Sequence, residues 1–312
     1  MKIFFATDLH GSEICWKKFI SAGDFYGVDA LILGGDMTGK AVVPIIDQGN
    51  GNYKVTFMEN EQILHNKEEV DHIIKQIQNR GYYPYLTNPE EVDELSKSPE
   101  KLDKLFLDRM LETVARWMDY ADKKLEGKNI QCYVCPGNDD AFEINEVIQQ
   151  SKHVKDVEGE CIQLDKHHEM VSTGWSNPTP WDTHREESEE KLAERIESLI
   201  KKLSNVQNSI FNFHAPPYGS GLDEAPELSE DLQPKYAGQS LIPVGSKAVA
   251  EAVEKYQPLL GLFGHVHEGR GSTRIGRTLC INPGSQYEQG VLQGAVIELK
   301  PRKIGTYILT TG

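Results

Sequence analysis

Long apolar runs are absent from this sequence of 312 residues. Residues 3–6 form an apolar run before Asp8, but this run is too short for the core of a signal peptide. No other run approaches the roughly 20 apolar residues that a transmembrane helix needs. We therefore expect a cytoplasmic protein that does not contact a membrane.

Cysteine is scarce, and its number does not suit a framework of disulfides. The sequence contains five cysteines, which is an odd number. Cys132 and Cys135 have the spacing of a redox pair, but both fall in a predicted strand. Residues three apart on a strand point to opposite faces of the sheet. We therefore interpret these two cysteines as structural residues.

Basic residues are also fewer than acidic residues. The 33 Lys and Arg residues stand against 48 Asp and Glu residues, which gives a formal net charge of −15. A general affinity for nucleic acid requires a cationic face that displaces counterions, so this balance argues against a nuclease. The sequence also lacks the Gly-x-x-x-x-Gly-Lys-[Ser/Thr] loop, so the nucleotide hydrolysis typical of that loop is not indicated.

Possible metal ligands are present at the ends of five short apolar runs, each of which predicts a buried strand. Strand ends of an open α/β sheet gather along one edge, so residues far apart in sequence meet there. Carboxylate, amide and imidazole groups together suit first-row divalent ions without thiolate ligands. The seven candidates are Asp8 and His10, Asp36, Asn138, His214, and His265 with His267.

Seven ligands are too many for one tetrahedral ion, and they suit two ions that share a carboxylate. We expect Mn, Fe, Zn or Ni, without a choice among them. Two divalent cations outweigh the charges of Asp8 and Asp36 and leave the pocket positive. The sequence therefore predicts a dinuclear site that accepts an anionic substrate although the whole chain is acidic.

The order of these motifs resembles that of the calcineurin-like metallophosphoesterases. Asp-x-His, Gly-Asp, Gly-Asn, a single His and Gly-His-x-His follow one another between residues 8 and 267. The resemblance implies an α/β fold in which helices flank a two-sheet β-sandwich. It also implies that Asp36 bridges two ions. One ion would take Asp8, His10, Asp36 and His267, and the other Asp36, Asn138, His214 and His265.

The function that follows is hydrolysis of a small-molecule phosphomonoester or phosphodiester. We expect in-line attack by a hydroxide that bridges the two ions. The alternatives are a non-catalytic metal-binding scaffold and a nuclease of the same fold. Asn138, His214 and Asp139 are the candidate catalytic residues.

Asp139 departs from the family pattern, in which His usually follows the Gly-Asn pair. The resemblance gives that His the role of protonating the leaving group or holding the phosphate. An ionised Asp139 cannot donate a proton, and nearby cations should lower its pKa further. We expect either a substrate with a good leaving group or another donor, such as water or His184.

The spacing of the motifs predicts a single domain of 1–312 with an insertion. The segment between Asp36 and Gly137 is too long for one helical crossover, so we predict an inserted, mostly helical subdomain over 40–94. It is expected to contain a hairpin around 47–52 and a helix over 61–80.

Other patterns predict local features around this frame. Tyr82 to Tyr85 is interpreted as a turn, either a lid over substrate or a packing seam. Thr183 to Glu186 reads as a capping box that opens a helix. A long loop is predicted over 215–241. Asn282 to Ser285 either presents backbone donors to the site or forms a plain turn.

Overall fold

Two six-stranded sheets lie at the centre of this computed structural model, which describes residues 1–229 and 231–312. The strands are β1 (Lys2–Ala6), β2 (Ala30–Leu33), β3 (Val42–Gly49), β4 (Asn52–Phe57), β5 (Asn60–Leu64), β6 (Tyr83–Thr87), β7 (Gln131–Val134), β8 (Val154–Asp156), β9 (Cys161–Gln163), β10 (Glu169–Thr173), β11 (Ile210–Phe213), β12 (Glu224–Pro226), β13 (Leu241–Pro243), β14 (Leu260–Leu262), β15 (Gly271–Ile275), β16 (Thr278–Asn282), β17 (Gln293–Lys300) and β18 (Lys303–Thr311). The helices are α1 (Glu13–Tyr26), α2 (Lys67–Asn79), α3 (Pro89–Ser96), α4 (Pro99–Leu125), α5 (Ile144–Ile148), α6 (Glu189–Ile200) and α7 (Lys247–Tyr256).

Parallel strands form the middle of both sheets. The first sheet has the order β18-β17-β1-β2-β7-β8, in which β1, β2, β7 and β8 run parallel. The second has the order β15-β16-β14-β11-β10-β9, with β10, β11, β14 and β16 parallel. The predicted sandwich of two sheets is therefore confirmed. Among the described residues, no helix has the length and apolar character of a membrane span.

Alternation along β1 shows how the layers are built. Ile3 and Phe5 point into the apolar core between the two sheets, whereas Phe4 and Ala6 point into a second core under the helices. Both faces of the strand are buried, which explains why it reads as a continuous apolar run. Strands of this kind place their polar residues only beyond their ends.

Helices cover the outer face of each sheet. On the first sheet, α1 packs against α4 through the stacked rings of Trp16 and Trp117, whose centroids are 4.9 Å apart. On the second sheet, α6 and α7 contribute to one shared apolar core, for example through Ile196 and Val249. Ser12 caps α1 and Gly27 ends it in the left-handed region, with φ of 58°.

Residues 40–94 contain a four-stranded sheet, β5-β4-β3-β6, with α2 packed against it. The predicted hairpin is present as β3 and β4. The predicted helix over 61–80 is wrong at its start, because the chain forms β5 first and Asn66 caps α2. Ile63 is 47% exposed, so it belongs to the outer face of a strand and not to the buried face of a helix. The prediction that 40–94 is mostly helical is wrong, because β3, β4, β5 and β6 contain more of its residues than α2 and the start of α3. The insertion as a separate subdomain remains a prediction.

The aromatic segment after α2 is a strand and not a turn. Residues 83–87 form β6, which pairs parallel to β3. Tyr83 is buried, its ring packs on Phe106, and its hydroxyl accepts a hydrogen bond of 2.7 Å from the Gly39 N–H. Of the two predicted alternatives, these contacts make Tyr83 part of a packing seam.

Two other local predictions also need correction. The capping box at 183–186 does not open α6, because Ser188 caps this helix and accepts from the Lys191 N–H. The carboxylate of Glu186 instead accepts from the Thr183 N–H at 2.9 Å and closes a loop. The predicted loop over 215–241 contains β12, which pairs with β13, and residue 230 lies outside the described residues.

Candidate metal centre

All seven predicted ligand residues lie at the carboxyl ends of parallel strands. Asp8, Asp36 and Asn138 follow β1, β2 and β7 of the first sheet, and His214 and His265 follow β11 and β14 of the second. The ring centroids of His214 and His265 are 5.2 Å apart. The sandwich therefore brings motifs from both sheets to one place, as strand-end geometry requires.

The ligand atoms fall into two groups of three residues. The first ligand group consists of Asp8, His10 and His267, and the second of Asp36, His214 and His265; the ligand atoms within each group lie within 4.8 Å of one another. In the first group, His267 Nε2 is 3.4 Å from Asp8 Oδ1. In the second, His214 Nε2 is 3.2 Å from Asp36 Oδ2. The two groups adjoin, since His10 Nε2 lies 3.7 Å from Asp36 Oδ2.

Four of these residues have a backbone conformation that side chains other than glycine rarely adopt. The φ angles are 53° at Asp8, 40° at His10, 46° at Asp36 and 66° at His265. Each such residue costs about 1–3 kcal/mol and persists only where the surrounding structure holds it. The sharp turn after each strand directs the side chain back toward the strand ends. Backbone strain is therefore concentrated where the candidate ligands meet.

Glycines in the motifs allow the loops to approach closely. A Cβ atom at Gly35 would lie 2.0 Å from His214 Nδ1, and its φ of 133° is itself unfavourable for other residues. A Cβ atom at Gly137 would lie 2.2 Å from Asp36 Oδ1. The Gly-Asp and Gly-Asn pairs therefore need glycine for steric reasons, in addition to the ligand that follows.

Both carboxylates also tie the motif loops together. Asp8 accepts hydrogen bonds from the backbone N–H of His265, at 3.1 and 3.2 Å, and from the Thr7 hydroxyl at 2.6 Å. Asp36 Oδ1 accepts from the Asp139 N–H at 3.0 Å. The first motif is thus joined to the last and the second to the third. These bonds leave oxygen lone pairs of both carboxylates free for other ligands.

Neighbouring groups orient two further candidates. His214 Nδ1 donates to the carbonyl of Gly34 at 2.9 Å, so its Nε2 faces the cluster. The Asn138 amide donates to the Thr183 hydroxyl at 2.7 Å, so its Oδ1 is left over. Polar partners of this kind, which fix the orientation of a ligand, are typical of metal sites.

Buried atoms without hydrogen-bond partners test whether a cation fits. His214 Nε2, Asn138 Oδ1 and His10 Nδ1 are buried and make no hydrogen bond of suitable geometry. A buried polar atom without a partner costs about 1–3 kcal/mol, and such atoms are rare. A bound divalent cation would satisfy His214 and Asn138, because Asn138 Oδ1 presents a lone pair to the cluster and His214 Nε2 presents one once it is deprotonated. The donor set therefore fits the metal ions that the sequence predicts.

Electrostatics keep the carboxylates ionised in this structure. Burial tends to raise the pKa of Asp8, but the hydrogen bond with His267 and the charges of His214 and His267 outweigh it, so the pKa is lowered well below its ordinary value. The pKa of Asp36 is lowered in the same way, mainly by His214 against burial.

The histidines divide into charged and neutral forms. Burial alone would lower the pKa of His214, but the Asp36 carboxylate outweighs it and raises the pKa to about 9. Burial lowers the pKa of His10 to about 3, with help from Lys40, and that of His265 to about 4. His10 and His265 are thus neutral near pH 7, the form that binds metals, and His214 must lose a proton when a cation binds.

Asp139 lies at the open side of the cluster. Its Oδ2 atom is 3.7 Å from His10 Nδ1 and 3.6 Å from Lys40 Nζ, and 29% of its side chain is exposed. Burial and the Asp36 carboxylate raise the pKa of Asp139 to about 6. Bound cations would act in the opposite direction. Together with His10 and Asp36, Asp139 also forms a third group of possible ligands.

Two residues that the sequence analysis did not identify support this site. Asp140 is completely buried, and its carboxylate accepts from the N–H groups of Met37, Thr38 and Gly137 and from the Thr38 hydroxyl, over 2.6–3.1 Å. Lys40 supplies the cation beside Asp139. Asp140 stands next to a recognised motif, but nothing in its local pattern indicated that the Gly-Asp loop would pack around it.

The structure also places His184 and the 282–285 segment, whose roles were left open. His184 is exposed, and its ring lies near that of Phe142, with 6.3 Å between centroids. In the 282–285 segment, Asn282 Nδ2 donates to the Val266 carbonyl at 2.9 Å and the Ser285 hydroxyl to the Asp8 carbonyl at 2.6 Å. This segment therefore positions the first and last motif loops.

Metal addition is expected to stabilise the protein. An ion that binds only the folded chain at 100 times its dissociation constant adds about 2.7 kcal/mol, or roughly 5 °C in midpoint temperature for a chain of this size. We expect this shift when Mn²⁺ or Zn²⁺ is added to chelator-treated protein, followed by thermal unfolding. Ca²⁺ is the control, since it prefers oxygen ligands. If Mn, Fe, Zn and Ni ions all leave the midpoint unchanged, the predicted metal centre is wrong.

Comparison with known proteins agrees with the fold. No family model matches the sequence. The uncharacterized protein MJ1162 of Methanocaldococcus jannaschii is 28% identical over 176 residues, which are 56% of this chain and 69% of that protein. The crystal structure of TT1561 of Thermus thermophilus aligns over 100% of this chain and 97% of that chain, with 14% identity and a TM-score of 0.54. A second crystal structure aligns over 99% of this chain and 98% of that chain, with 15% identity and a TM-score of 0.55. These two likenesses show a shared fold.

Proposed function

We propose that this chain, whose fold and ordered motifs resemble those of the calcineurin-like metallophosphoesterases, is a metal-dependent phosphoesterase. Its substrate would be a small-molecule phosphomonoester or phosphodiester. The observation that carries the proposal is the pair of adjoining ligand groups, each with one carboxylate and two imidazoles. Two such groups side by side suit a pair of divalent ions.

The proposed ligand assignment follows these groups. One ion would be held by the first ligand group together with Asp36, and the other by the second ligand group together with Asn138. Asp36 would serve both, since its carboxylate lies between His10 and His214. When bound, a pair of divalent cations neutralises charge on phosphoryl oxygens and activates water for attack.

The exposure of the cluster defines how a substrate would enter. Asp8, His10, Asp36 and His214 are buried, whereas 29% of the side chain is exposed at both His267 and Asp139. A phosphoester would therefore approach over these two residues.

Lys40 flanks the same opening, with about half of its side chain exposed. Its ammonium group would attract the non-bridging oxygens of the phosphoester. Asp139, 3.6 Å away, would hold Lys40 in position. Lys40 and Asp139 would bind and orient the phosphoester. Neither would act as a nucleophile.

Turnover of chromogenic esters tests the proposal. Chelator-treated protein, reloaded with Mn²⁺, Fe²⁺, Zn²⁺ or Ni²⁺, is expected to hydrolyse bis(4-nitrophenyl) phosphate or 4-nitrophenyl phosphate, and the same protein without added metal is not. Stoichiometric metal without turnover of either ester would instead support the non-catalytic scaffold. Salt-sensitive cleavage of DNA would support the nuclease.

Asp139→His is expected to raise turnover of alkyl esters more than that of aryl esters. The substitution restores the His that the resemblance places at this position. An alkoxide is a poor leaving group and needs a proton donor more than nitrophenolate does. The gain should lie within the ~10² to 10⁴ range that general acid catalysis contributes. Steady-state kinetics on an alkyl and an aryl substrate measure it. If turnover of both falls equally, Asp139 has a separate role, such as ordering water or holding Lys40.

A further inference from the structure

A pocket of about 400 Å³ adjoins the candidate metal centre on the side of His267. Tyr287 lines the pocket and also borders the centre, since its ring centroid is 5.8 Å from that of His267 and 4.8 Å from that of His10. His267 is also the partly exposed member of the first ligand group. The volume falls in the range of small-molecule sites. An ester whose phosphate lies at the metal centre would extend its organic group into this pocket.

The lining of the pocket is polar. It contains three glutamines, Gln286, Gln289 and Gln293, and no aliphatic side chain among the described residues that line it. Gln293 is only 6% exposed, and its side chain lines the pocket. A side-chain amide both donates and accepts, so this lining suits a ligand with hydroxyl groups. Acyl chains and other apolar groups find little to contact here.

The charges of the pocket disfavour a second anionic group. Arg270 is the one Lys or Arg among the described lining residues, and its guanidinium already donates to the carbonyls of Pro283 and Thr310 and to the Thr311 hydroxyl. Glu268 and Glu288 are exposed carboxylates in the same lining. A carboxylate or second phosphate on the substrate would meet these two negative charges with no unengaged cation to balance them.

We propose that this pocket binds the alcohol portion of the substrate, and that this portion is an uncharged, hydroxyl-bearing group of polyol or sugar size. The inference rests on the proposed phosphoesterase function and narrows its substrate class. Hydroxyl groups can hydrogen-bond to the side-chain amides of Gln286, Gln289 and Gln293, since a hydroxyl and an amide can both donate and accept. The same lining disfavours acyl chains and groups that carry a second negative charge.

Three matched phosphodiesters test the pocket. Each carries 4-nitrophenyl as the leaving group and differs only in its second substituent: 2,3-dihydroxypropyl, propyl or 2-carboxyethyl. We expect KM to be about tenfold lower for the dihydroxypropyl ester than for the propyl ester, and highest for the carboxyethyl ester. Values of kcat should be similar, because the same nitrophenolate leaves. Equal KM values, or a preference for the propyl or carboxyethyl ester, would overturn the proposal.

Substitutions assign the preference to named residues. Gln293→Leu is expected to abolish the difference in KM between the dihydroxypropyl and propyl esters, mainly by raising KM for the dihydroxypropyl ester. Gln289→Ala, at an exposed position, should raise KM for the dihydroxypropyl ester by a smaller factor. It replaces Gln293→Leu as the test if that variant does not fold. The combined change Glu268→Gln and Glu288→Gln should lower KM for the carboxyethyl ester. Gln150→Leu is the matched control, at an exposed position on another part of the surface.

Direct binding separates failure of the pocket from failure of the proposed function. If metal-loaded protein hydrolyses all three esters without discrimination, the function stands and the pocket assignment is wrong. If it hydrolyses none, the function is wrong, and calorimetry with glycerol 3-phosphate and propyl phosphate still tests the pocket. Tighter binding of glycerol 3-phosphate, lost in Gln293→Leu, supports the assignment, and equal binding refutes it.

Discussion

Asp36→Asn is expected to lose most bound metal and to reduce phosphodiester turnover by more than about 10³-fold. Asp36 belongs to the second ligand group and adjoins the first: its Oδ2 atom is 3.2 Å from His214 Nε2 and 3.7 Å from His10 Nε2. An amide removes one negative charge and offers one oxygen in place of two. Removal of a single group that stabilises a transition state commonly costs 10²–10³-fold, and Asp36 would serve both ions.

The measurement combines metal content by elemental analysis with kcat/KM on bis(4-nitrophenyl) phosphate. Asp103→Asn is the matched control, because it makes the same change at an exposed position on α4. Because the substitution also removes the negative charge beside buried His214, circular dichroism of the metal-free variant checks that it is folded. Wild-type activity with two equivalents of metal in Asp36→Asn would rule out the dinuclear mechanism.

Asp140→Ala is expected to lower the free energy of unfolding by about 3–5 kcal/mol. Its carboxylate accepts from three backbone N–H groups and one hydroxyl, and the donors at Met37, Thr38 and Gly137 are left buried without partners. Each unsatisfied donor costs about 1–3 kcal/mol, partly offset by relaxation and water. The substitution also removes a negative charge beside the buried guanidinium of Arg185, which donates to the carbonyl of Gly137 at 3.3 Å.

Asp139→Ala is the control for this prediction, because it makes the same change one residue away. The Asp139 side chain is part-exposed and pairs with Lys40, which is half-exposed, so its removal should cost less than about 1 kcal/mol. Urea unfolding of the two metal-free variants compares them directly. If both lose the same stability, Asp140 does not hold the motif loops together as its contacts imply. Turnover should fall more in Asp139→Ala than in Asp140→Ala, since Asp139 lies on the open side of the cluster.

The candidate ligands could be found from the sequence because their chemistry and their position are both local. An apolar run that ends in Asp8 and His10 predicts a buried strand with ligands at its end, and no distant contact is needed to see this. Because neighbouring strands run parallel, their carboxyl ends lie along one edge of the sheet. The same local logic places Asp36, Asn138 and His214.

Local patterns were less reliable where two structures compete for the same residues. Residues 61–64 carry Ile63 and Leu64 at positions that suit either a helix or a strand, and pairing with β4 makes them β5. Thr183 and Glu186 have the spacing of a capping box, but Glu186 accepts from the Thr183 N–H within a loop and Ser188 caps α6. In both cases the hydrogen-bond partner selects the structure, and the residue spacing allows either.

The sequence by itself determined the residue types that can hold divalent cations and the strand ends that carry them. The tertiary structure alone decided that Asp140 accepts from the loops of Met37 and Gly137, that Lys40 faces Asp139, and that Gln293 opens into a pocket beside His267. The physical reason is the separation in sequence between the residues that interact. Strand formation depends on neighbours a few residues apart, whereas the partners of a buried carboxylate or amide come from segments that meet only when the chain has folded.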